Sequence, residues 1–241
     1  MSARLRRGLF LLSGTALGGL LVWGLSGLSA FGDYHGEYGR VLNQFGVEER
    51  HSTNVVAAVV FDYRGLDTLA EELILFASVV GVALLLREAR EERAHPPEPT
   101  RSDALRAVGL GAIGLVVLLA LYVVAHGYLT PGGGFQGGVV AAAGAVLLYL
   151  AAEYRVYRRA TPTALVEAAE GSGAAAYIAV GLIALASGDA FLENFVGLGS
   201  SGTLLSAGTI SLLNWAAALE VAAATVLLFH EFLEEIAEEA A

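Results

Sequence analysis

The feature that most limits the fold of this chain is a series of apolar stretches long enough to cross a lipid bilayer. No charged residue interrupts the segments 8–30, 107–125 or 139–152. A membrane-spanning helix needs about 20 predominantly apolar residues, and only helices and closed barrels satisfy their backbone hydrogen bonds inside lipid. The pattern therefore predicts an all-α integral membrane protein with about six transmembrane helices.

Composition agrees with a membrane protein and excludes several function classes. Only 16% of the 241 residues are charged, against about 25% in a soluble domain, and the mean hydropathy is +0.62. Cysteine is absent, which excludes disulfides and thiolate chemistry. The net charge of −10 argues against a nucleic-acid partner. No metal-ligand spacing and no nucleophile–base arrangement is evident, so we expect neither a cofactor nor an enzyme.

The apolar stretches predict six spans and the connections between them. The predicted spans are about 8–30, 66–86, 103–125, 131–152, 171–188 and 208–229. A signal peptide is the alternative for the first, but the stretch is longer than a usual signal sequence, so a retained span is favoured. Between the first two spans, residues 31–65 are mostly polar. Their apolar part, 54–61, is too short to span and fits a strand, a short helix or an interfacial segment.

A proline-rich segment predicts two units in the chain, and the basic residues predict how the chain is oriented in the membrane. The proline-rich segment 94–102 predicts a linker between a two-span unit, 1–93, and a four-span unit, 103–241. Basic residues near span ends prefer the cytoplasm, and the basic clusters at 4–7, 87–106 and 155–159 all fall on one side of a six-span chain. Both termini are therefore predicted to be cytoplasmic. The end of the chain, 231–241, holds five glutamates and is predicted to be a solvated helical extension.

A glycine-dense turn, TPGGGFQGG at residues 130–138, separates the third and fourth spans. Thr130 can cap a helix whose first residue is Pro131. Gly134 and Gly138 would then present a small face for close packing against another helix. The turn lacks the lysine that a phosphate-binding loop requires, so its predicted role is structural.

The residues of this turn also carry a family resemblance. The sequence PGGGFQGG at the start of a membrane helix resembles the hallmark of the MnhB-like component of the multisubunit Mrp-type sodium/proton antiporters, a module that also occurs in membrane-bound, energy-converting hydrogenases. The resemblance covers about residues 103–241. Its motif residues, which it marks as structural, are Pro131, Gly132, Gly133, Gly134, Phe135, Gly137 and Gly138.

A second resemblance lies upstream. The sequence DYRGLDTLAE at residues 62–71 is similar to the C-terminal segment of the A-type component of the same antiporters, which occurs as a separate small protein, the E-type component, in the hydrogenases. It covers about residues 1–93, and its motif includes Asp62, Arg64 and Gly65. The chain thus resembles a fusion of an A-type tail with an MnhB-like unit, joined at the proline-rich linker.

Glu220 is the first candidate functional residue. It lies near the middle of the sixth predicted span, where an ionisable group is costly and tends to mark an ion path or a buried pairing. Alanines at 216, 217, 223 and 224 surround it on the helix surface, which predicts a face packed against another helix. The alternative is a hydrogen-bonded structural glutamate at a contact between subunits.

Further candidates lie at the ends of two spans. Asp67 and Glu71 share a helix face, and with Glu72 they can attract a cation or hold a proton. Arg64 is close enough in sequence to neutralise one of them. For Glu72 a solvated helix end is favoured, whereas the resemblance assigns Glu71 a role in the ion path. His126, before the glycine turn, is a weaker candidate for the same path.

These observations predict an accessory membrane subunit of a cation/proton-translocating complex. The resemblance implies other antiporter or hydrogenase-like subunits as partners, Na+ and H+ as possible transported ions, and main pumping helices in larger subunits. A purely structural scaffold is the first alternative. A self-contained transporter is the second, and it would predict an internal repeat, which is not evident.

Overall fold

The computed structural model describes residues 3–28, 32, 36–89 and 102–239, and every regular element among them is helical. The chain divides into two compact units, Met1–Arg40 and Val41–Ala241. The first contains α1 (Ala3–Ser26) and the first residues of α2 (Glu37–Arg50). Most of the predicted linker 94–102 lies outside the described residues.

The second unit continues from α2 through the remaining helices. They are α3 (Val55–Ala58), a π-helical turn (Val59–Tyr63), α4 (Gly65–Ala89), α5 (Asp103–Ala125), α6 (Gly134–Ala151), α7 (Tyr154–Ala160), α8 (Thr163–Ala186) and α9 (Thr209–Glu239). Six described helices (α1, α4, α5, α6, α8 and α9) are long and apolar enough to cross a membrane, which confirms the predicted fold class. The mostly polar connection 31–65 holds α2, α3 and the π-helical turn, so its apolar part 54–61 is helical, one of the alternatives that the sequence left open.

Helix α9 is the central element of the second unit. It packs against α4, α6 and α8, and α5 packs against α6. Because neighbours surround it, 61% of its apolar window is buried, against 17% of that of α5. Ala223, Ala224 and Leu227 of α9 form an apolar core with Val79 of α4, and with side chains of α6 and α8.

Helix α6 begins at Gly134, three residues later than predicted. Gly132 and Gly133 have φ angles of +150° and +154°, a conformation that side chains with a Cβ rarely adopt. The expectation that Thr130 caps a helix starting at Pro131 is therefore wrong. The residue before α6 is Gly133, which offers no side chain to cap it.

Asn214 of α9 supplies the missing cap from another helix. Its Oδ1 accepts a hydrogen bond from Gly134 N at 2.6 Å, and its Nδ2 donates to Val124 O, at the end of α5, at 2.5 Å. Asn214 is fully buried, so one side chain satisfies two helix ends that water cannot reach. A free donor at the start of α6 is thus bonded to a side chain of α9.

The glycines of the motif let α6 and α9 approach closely, as predicted. A Cβ on Gly134 would collide with the Asn214 carbonyl, and one on Gly138 would lie 2.8 Å from Ala218 O. Both obstacles are backbone atoms of α9, which cannot move aside. Small residues generally allow two membrane helices to approach each other closely.

The turn 126–133 is bonded to the segment that precedes α3. Asn54 Nδ2 donates to Gly127 O at 2.6 Å and to Thr130 O at 3.0 Å, and Ser52 Oγ donates to Tyr128 O at 2.8 Å. The loop 189–207 also joins here, since Tyr128 Oη donates to Leu204 O at 2.5 Å. We call this end of the helix bundle the turn end.

We call the opposite end, which contains α7, Arg87 and Arg158, the arginine end. Helix α8 begins there at Thr163, eight residues earlier than predicted. Helix α9 continues beyond the predicted span to Glu239, which confirms a helical extension. The extension is not wholly solvated, however, because Glu231 is only 3% exposed and pairs with Arg87.

Candidate functional site

Glu220 lies on the most tightly packed face of α9. Its side chain is fully buried, and a Cβ on Gly173 of α8 would lie 2.6 Å from Glu220 N. The surrounding alanines, at 216, 217, 223 and 224, are buried as well. The prediction that this small-residue face packs against a neighbouring helix is confirmed.

Glu72 of α4 faces Glu220, and Glu71 does not. Glu72 is 3% exposed and its carboxyl lies close enough to that of Glu220 for the two groups to interact. Glu71 is exposed, because the side chains of adjacent helix residues point about 100° apart. The expectation of a solvated Glu72 is therefore wrong, and the carboxyl that meets Glu220 is the one that the sequence ranked lower.

Glu170 of α8 is a third buried carboxyl, which was not predicted from the sequence. It is 4% exposed and close enough to Glu220 for their charges to repel. Glu170 lies seven residues inside α8, about 10 Å from the helix start. The predicted fifth span began at 171, and so placed Glu170 in a polar connection. The sequence did contain a signal for an earlier start of this span, namely Pro162, which directly precedes α8.

The three carboxyls lack the partners that buried charges normally require. Among the described residues, no donor reaches Glu72 Oε2, Glu170 Oε1 or either oxygen of Glu220. An unpaired carboxylate in an apolar interior costs several kcal/mol. Groups so placed generally hold a proton or bind a cation.

Hydroxyl groups lie between Glu72 and the turn end. Tyr177 of α8, fully buried, donates through its Oη to Gly65 O at 3.1 Å, and Thr68 Oγ1 donates to Val60 O at 2.5 Å. Thr68 is one helical turn from Glu72 on the same face of α4. Both hydroxyls are bonded to backbone carbonyls of the junction where the π-helical turn meets α4.

That junction carries an ion pair between Arg50 and Asp62. Arg50 Nε lies 2.8 Å from Asp62 Oδ1, and Asn194 Nδ2 donates to Asp62 Oδ2 at 3.2 Å. Burial raises the pKa of Asp62, although the Arg50 guanidinium lowers it in part. Burial, with a hydrogen bond to Glu49, raises the pKa of Tyr63 to about 12. Asp62, a motif residue, thus bonds the loop 189–207 to the π-helical turn.

At the arginine end, Arg87 joins three helices. Its Nε and Nη2 each lie 2.7 Å from Glu231 Oε1 of α9, and its Nη1 lies 2.8 Å from Glu167 Oε1 of α8. Nearby, Thr161 Oγ1 lies 3.0 Å from His230 Nε2. This polar group and the junction at Asp62 lie at opposite ends of the bundle, with the three carboxyls between them.

The remaining predicted residues lie elsewhere. Asp67 pairs with Arg64 at an exposed position, as expected from their spacing. His126 follows the end of α5, where its ring stacks on Tyr122 and its Nδ1 lies 3.1 Å from Tyr122 O. Its described bonds are thus local. The structure brings together Glu72, Glu170 and Glu220. Of these, only Glu220 was the preferred candidate from the sequence, since Glu71 was favoured over Glu72 and Glu170 was not considered.

Comparison with known proteins gives one family match. Residues 104–227 match the family model described as a domain related to the MnhB subunit of Na+/H+ antiporter. An uncharacterized protein of Methanocaldococcus jannaschii is 31% identical over 198 residues, covering 70% of this chain and 73% of the relative.

Two solved complexes contain chains of similar structure. A chain of the membrane-bound sulfane sulfur reductase, an archaeal respiratory membrane complex, is 30% identical with a TM-score of 0.69, covering 95% of this chain and 99% of the other. A chain of the Mrp complex from Dietzia sp. DQ12-45-1b is 25% identical with a TM-score of 0.67, covering 97% of this chain and 26% of that longer chain. The similarity is thus to chains of multisubunit membrane complexes.

Proposed function

Because the chain belongs to the family of domains related to the MnhB subunit of Na+/H+ antiporters, we propose that it is an accessory subunit of a cation/proton-translocating complex and lines part of the ion route. The observation that carries the second half of this proposal is the contact between Glu72 and Glu220. The partners of the chain are the other subunits of the complex and the lipid bilayer. The complex itself is a stand-alone antiporter or a respiratory complex of related architecture.

The carboxyl contact suits proton movement. Two carboxylates side by side in an apolar site repel each other, and one proton held between them removes that repulsion. Glu170 lies on the arginine-end side of Glu220, since it is one helical turn of α8 below Gly173, which touches Glu220. A proton can therefore pass from Glu72 to Glu220 and then to Glu170 by small side-chain rotations.

Basic residues orient the proposed route. Arginines at 155, 158 and 159, with Arg87, all lie at the arginine end, and such residues favour the cytoplasmic side. The turn end then faces outward, with Asp62 at the entrance. Both termini are cytoplasmic in this arrangement.

The two sequence units have different parts in the proposal. Glu72 comes from the unit 1–93, whereas Glu170 and Glu220 come from the unit 103–241. Packing of α4 against α8 and α9 makes the route depend on both, which gives a physical reason for their fusion. The glycine motif contributes by positioning α9 through Asn214.

A scaffold without ion-path residues is the alternative, and amide substitutions distinguish the two. Glu72→Gln and Glu220→Gln preserve shape and remove the ability to release a proton. We expect both to lower cation-driven proton exchange in vesicles containing the assembled complex by about tenfold or more, equivalent to ~1.4 kcal/mol on the barrier. Glu71→Gln, at the adjacent exposed position, is the matched control and keeps the wild-type rate.

Assembly is measured in the same membranes by co-purification of the partner subunits. If Glu72→Gln and Glu220→Gln complexes assemble fully and exchange ions at the wild-type rate, the chain is a scaffold and the route proposal is wrong.

A further inference from the structure

Arg87 is held by two carboxylates that differ in their surroundings. Glu231, which receives two of its N–H groups, has a side chain only 4% exposed, whereas the Glu167 side chain is 44% exposed. Breaking the bond to Glu231 would separate a buried carboxylate from the guanidinium, which is costly. Breaking the bond to Glu167 exposes both groups to water, and such pairs contribute little stability. Arg87 is therefore anchored on one side and releasable on the other.

The releasable side lies next to the carboxyl route. Glu167 precedes Glu170 by three residues in α8, so the two side chains share a helix face and lie about 4.5 Å apart along the axis. Glu170 is buried and interacts with Glu220. Glu167 is thus a half-exposed carboxyl next to Glu170, on the side of the arginine end.

We propose that the Arg87–Glu167 pair is the gate of the ion route at the arginine end, an inference that rests on the proposed function. With the pair closed, the guanidinium fixes the Glu167 carboxylate and places a permanent positive charge at the mouth, which opposes entry of a proton or cation. With the pair open, Glu167 turns toward Glu170 and accepts its proton, then releases it to water. Anchoring by Glu231 returns Arg87 to the same position after each opening.

Removing the gate without stranding a buried charge requires a double substitution. Arg87→Gln together with Glu231→Gln takes away the guanidinium and its buried partner at once. We expect the passive proton leak of vesicles carrying the assembled complex, with no driving cation, to rise by about tenfold. Arg158→Gln is the matched control, because Arg158 lies at the same end but bonds to Thr163 and Glu234. That variant keeps the wild-type leak.

A third substitution shows whether the leak uses the route. Adding Glu220→Gln to the double variant returns the leak to the wild-type level if protons pass through the carboxyls. A leak that persists reports a damaged bundle and overturns the gate, as does a double variant that assembles and leaks no more than wild type. If Glu220→Gln alone leaves driven exchange unchanged, the proposed function itself fails.

Glu167→Gln provides a test that does not depend on the double variant folding. It keeps the buried Arg87–Glu231 pair and replaces only a half-exposed carboxylate, so assembly is expected to be normal. The proposal predicts driven exchange reduced by about tenfold, because Glu170 loses its proton acceptor. Wild-type exchange in this variant overturns the gate, while leaving the Glu72–Glu220 contact untouched.

Discussion

Replacing Gly138 by alanine tests the helix contact that positions the carboxyls. The added Cβ would lie 2.8 Å from Ala218 O, 2.9 Å from Val221 Cβ and 3.0 Å from Ala222 N. Two of these atoms belong to the α9 backbone, so α6 and α9 must separate. Overpacking of this kind costs about 1–3 kcal/mol, and the better helix propensity of alanine recovers up to about 1 kcal/mol.

Because two backbone atoms would lie within 3.0 Å of the new Cβ, the cost belongs in the upper part of that range, about 2–3 kcal/mol, and after a recovery of about 1 kcal/mol the net loss is about 1–2 kcal/mol. In a chain of this size each kcal/mol shifts the melting temperature by about 2–4 °C, so the Gly138→Ala variant should melt about 2–8 °C below wild type. The measurement is a thermal scan of the purified full-length chain in detergent, followed by intrinsic fluorescence.

Gly144→Ala, in the same helix, is the control. A Cβ there would have Val116 Cγ1 at 3.7 Å as its nearest neighbour, which is ordinary van der Waals contact. Its melting temperature should equal or exceed that of wild type. Equal melting temperatures for the two variants would refute the argument that the motif glycines are required for close approach.

Three further substitutions should each change the stability of the protein in a defined direction. Asn214→Ala leaves the buried Gly134 N–H without its acceptor, at about 1–3 kcal/mol, while the Val124 carbonyl keeps its bond from Gly127 N; the same thermal scan should show a lower melting temperature than wild type, and a neutral variant would contradict the shared cap. Tyr177→Phe removes the hydrogen bond to the Gly65 carbonyl, which keeps its helical N–H partner, and should cost about 0.5–1.5 kcal/mol, whereas an unchanged melting temperature would exclude that bond. Burial raises the pKa of Asp62 above its ordinary 3.8, so the stability from this group is full below 3.8 and is lost as pH rises through the raised pKa. Wild type should accordingly gain stability relative to Asp62→Asn on acidification across that window, and a relative loss would mean that the Arg50 ion pair dominates.

Some elements were predictable because a local signal agreed with the tertiary environment. Helix α5 has the predicted bounds, 103–125, since Ser102 caps it by accepting a bond from Leu105 N and an uncharged apolar run fills 107–125. The small-residue face around Glu220 was also readable, because alanines at helical spacing have few uses other than close packing.

Other features depend on partners distant in sequence. The start of α6 could not be predicted from Thr130 and Pro131, because its cap is Asn214, 80 residues away. The choice between Glu71 and Glu72 depends on the rotation of α4 about its axis, and α4 is apolar on all sides apart from its ends. Only the packing of α8 and α9 fixes that rotation, so sequence alone favoured the wrong neighbour.

The most direct test of the account is to observe the proton that the Glu72–Glu220 contact is proposed to hold. Infrared difference spectra of the assembled complex, recorded between sodium-free and sodium-containing buffer, report the carbonyl stretch of protonated carboxyls. We predict a band that is lost in both Glu72→Gln and Glu220→Gln and kept in Glu71→Gln. A spectrum in which the same band persists in both buried variants would contradict it.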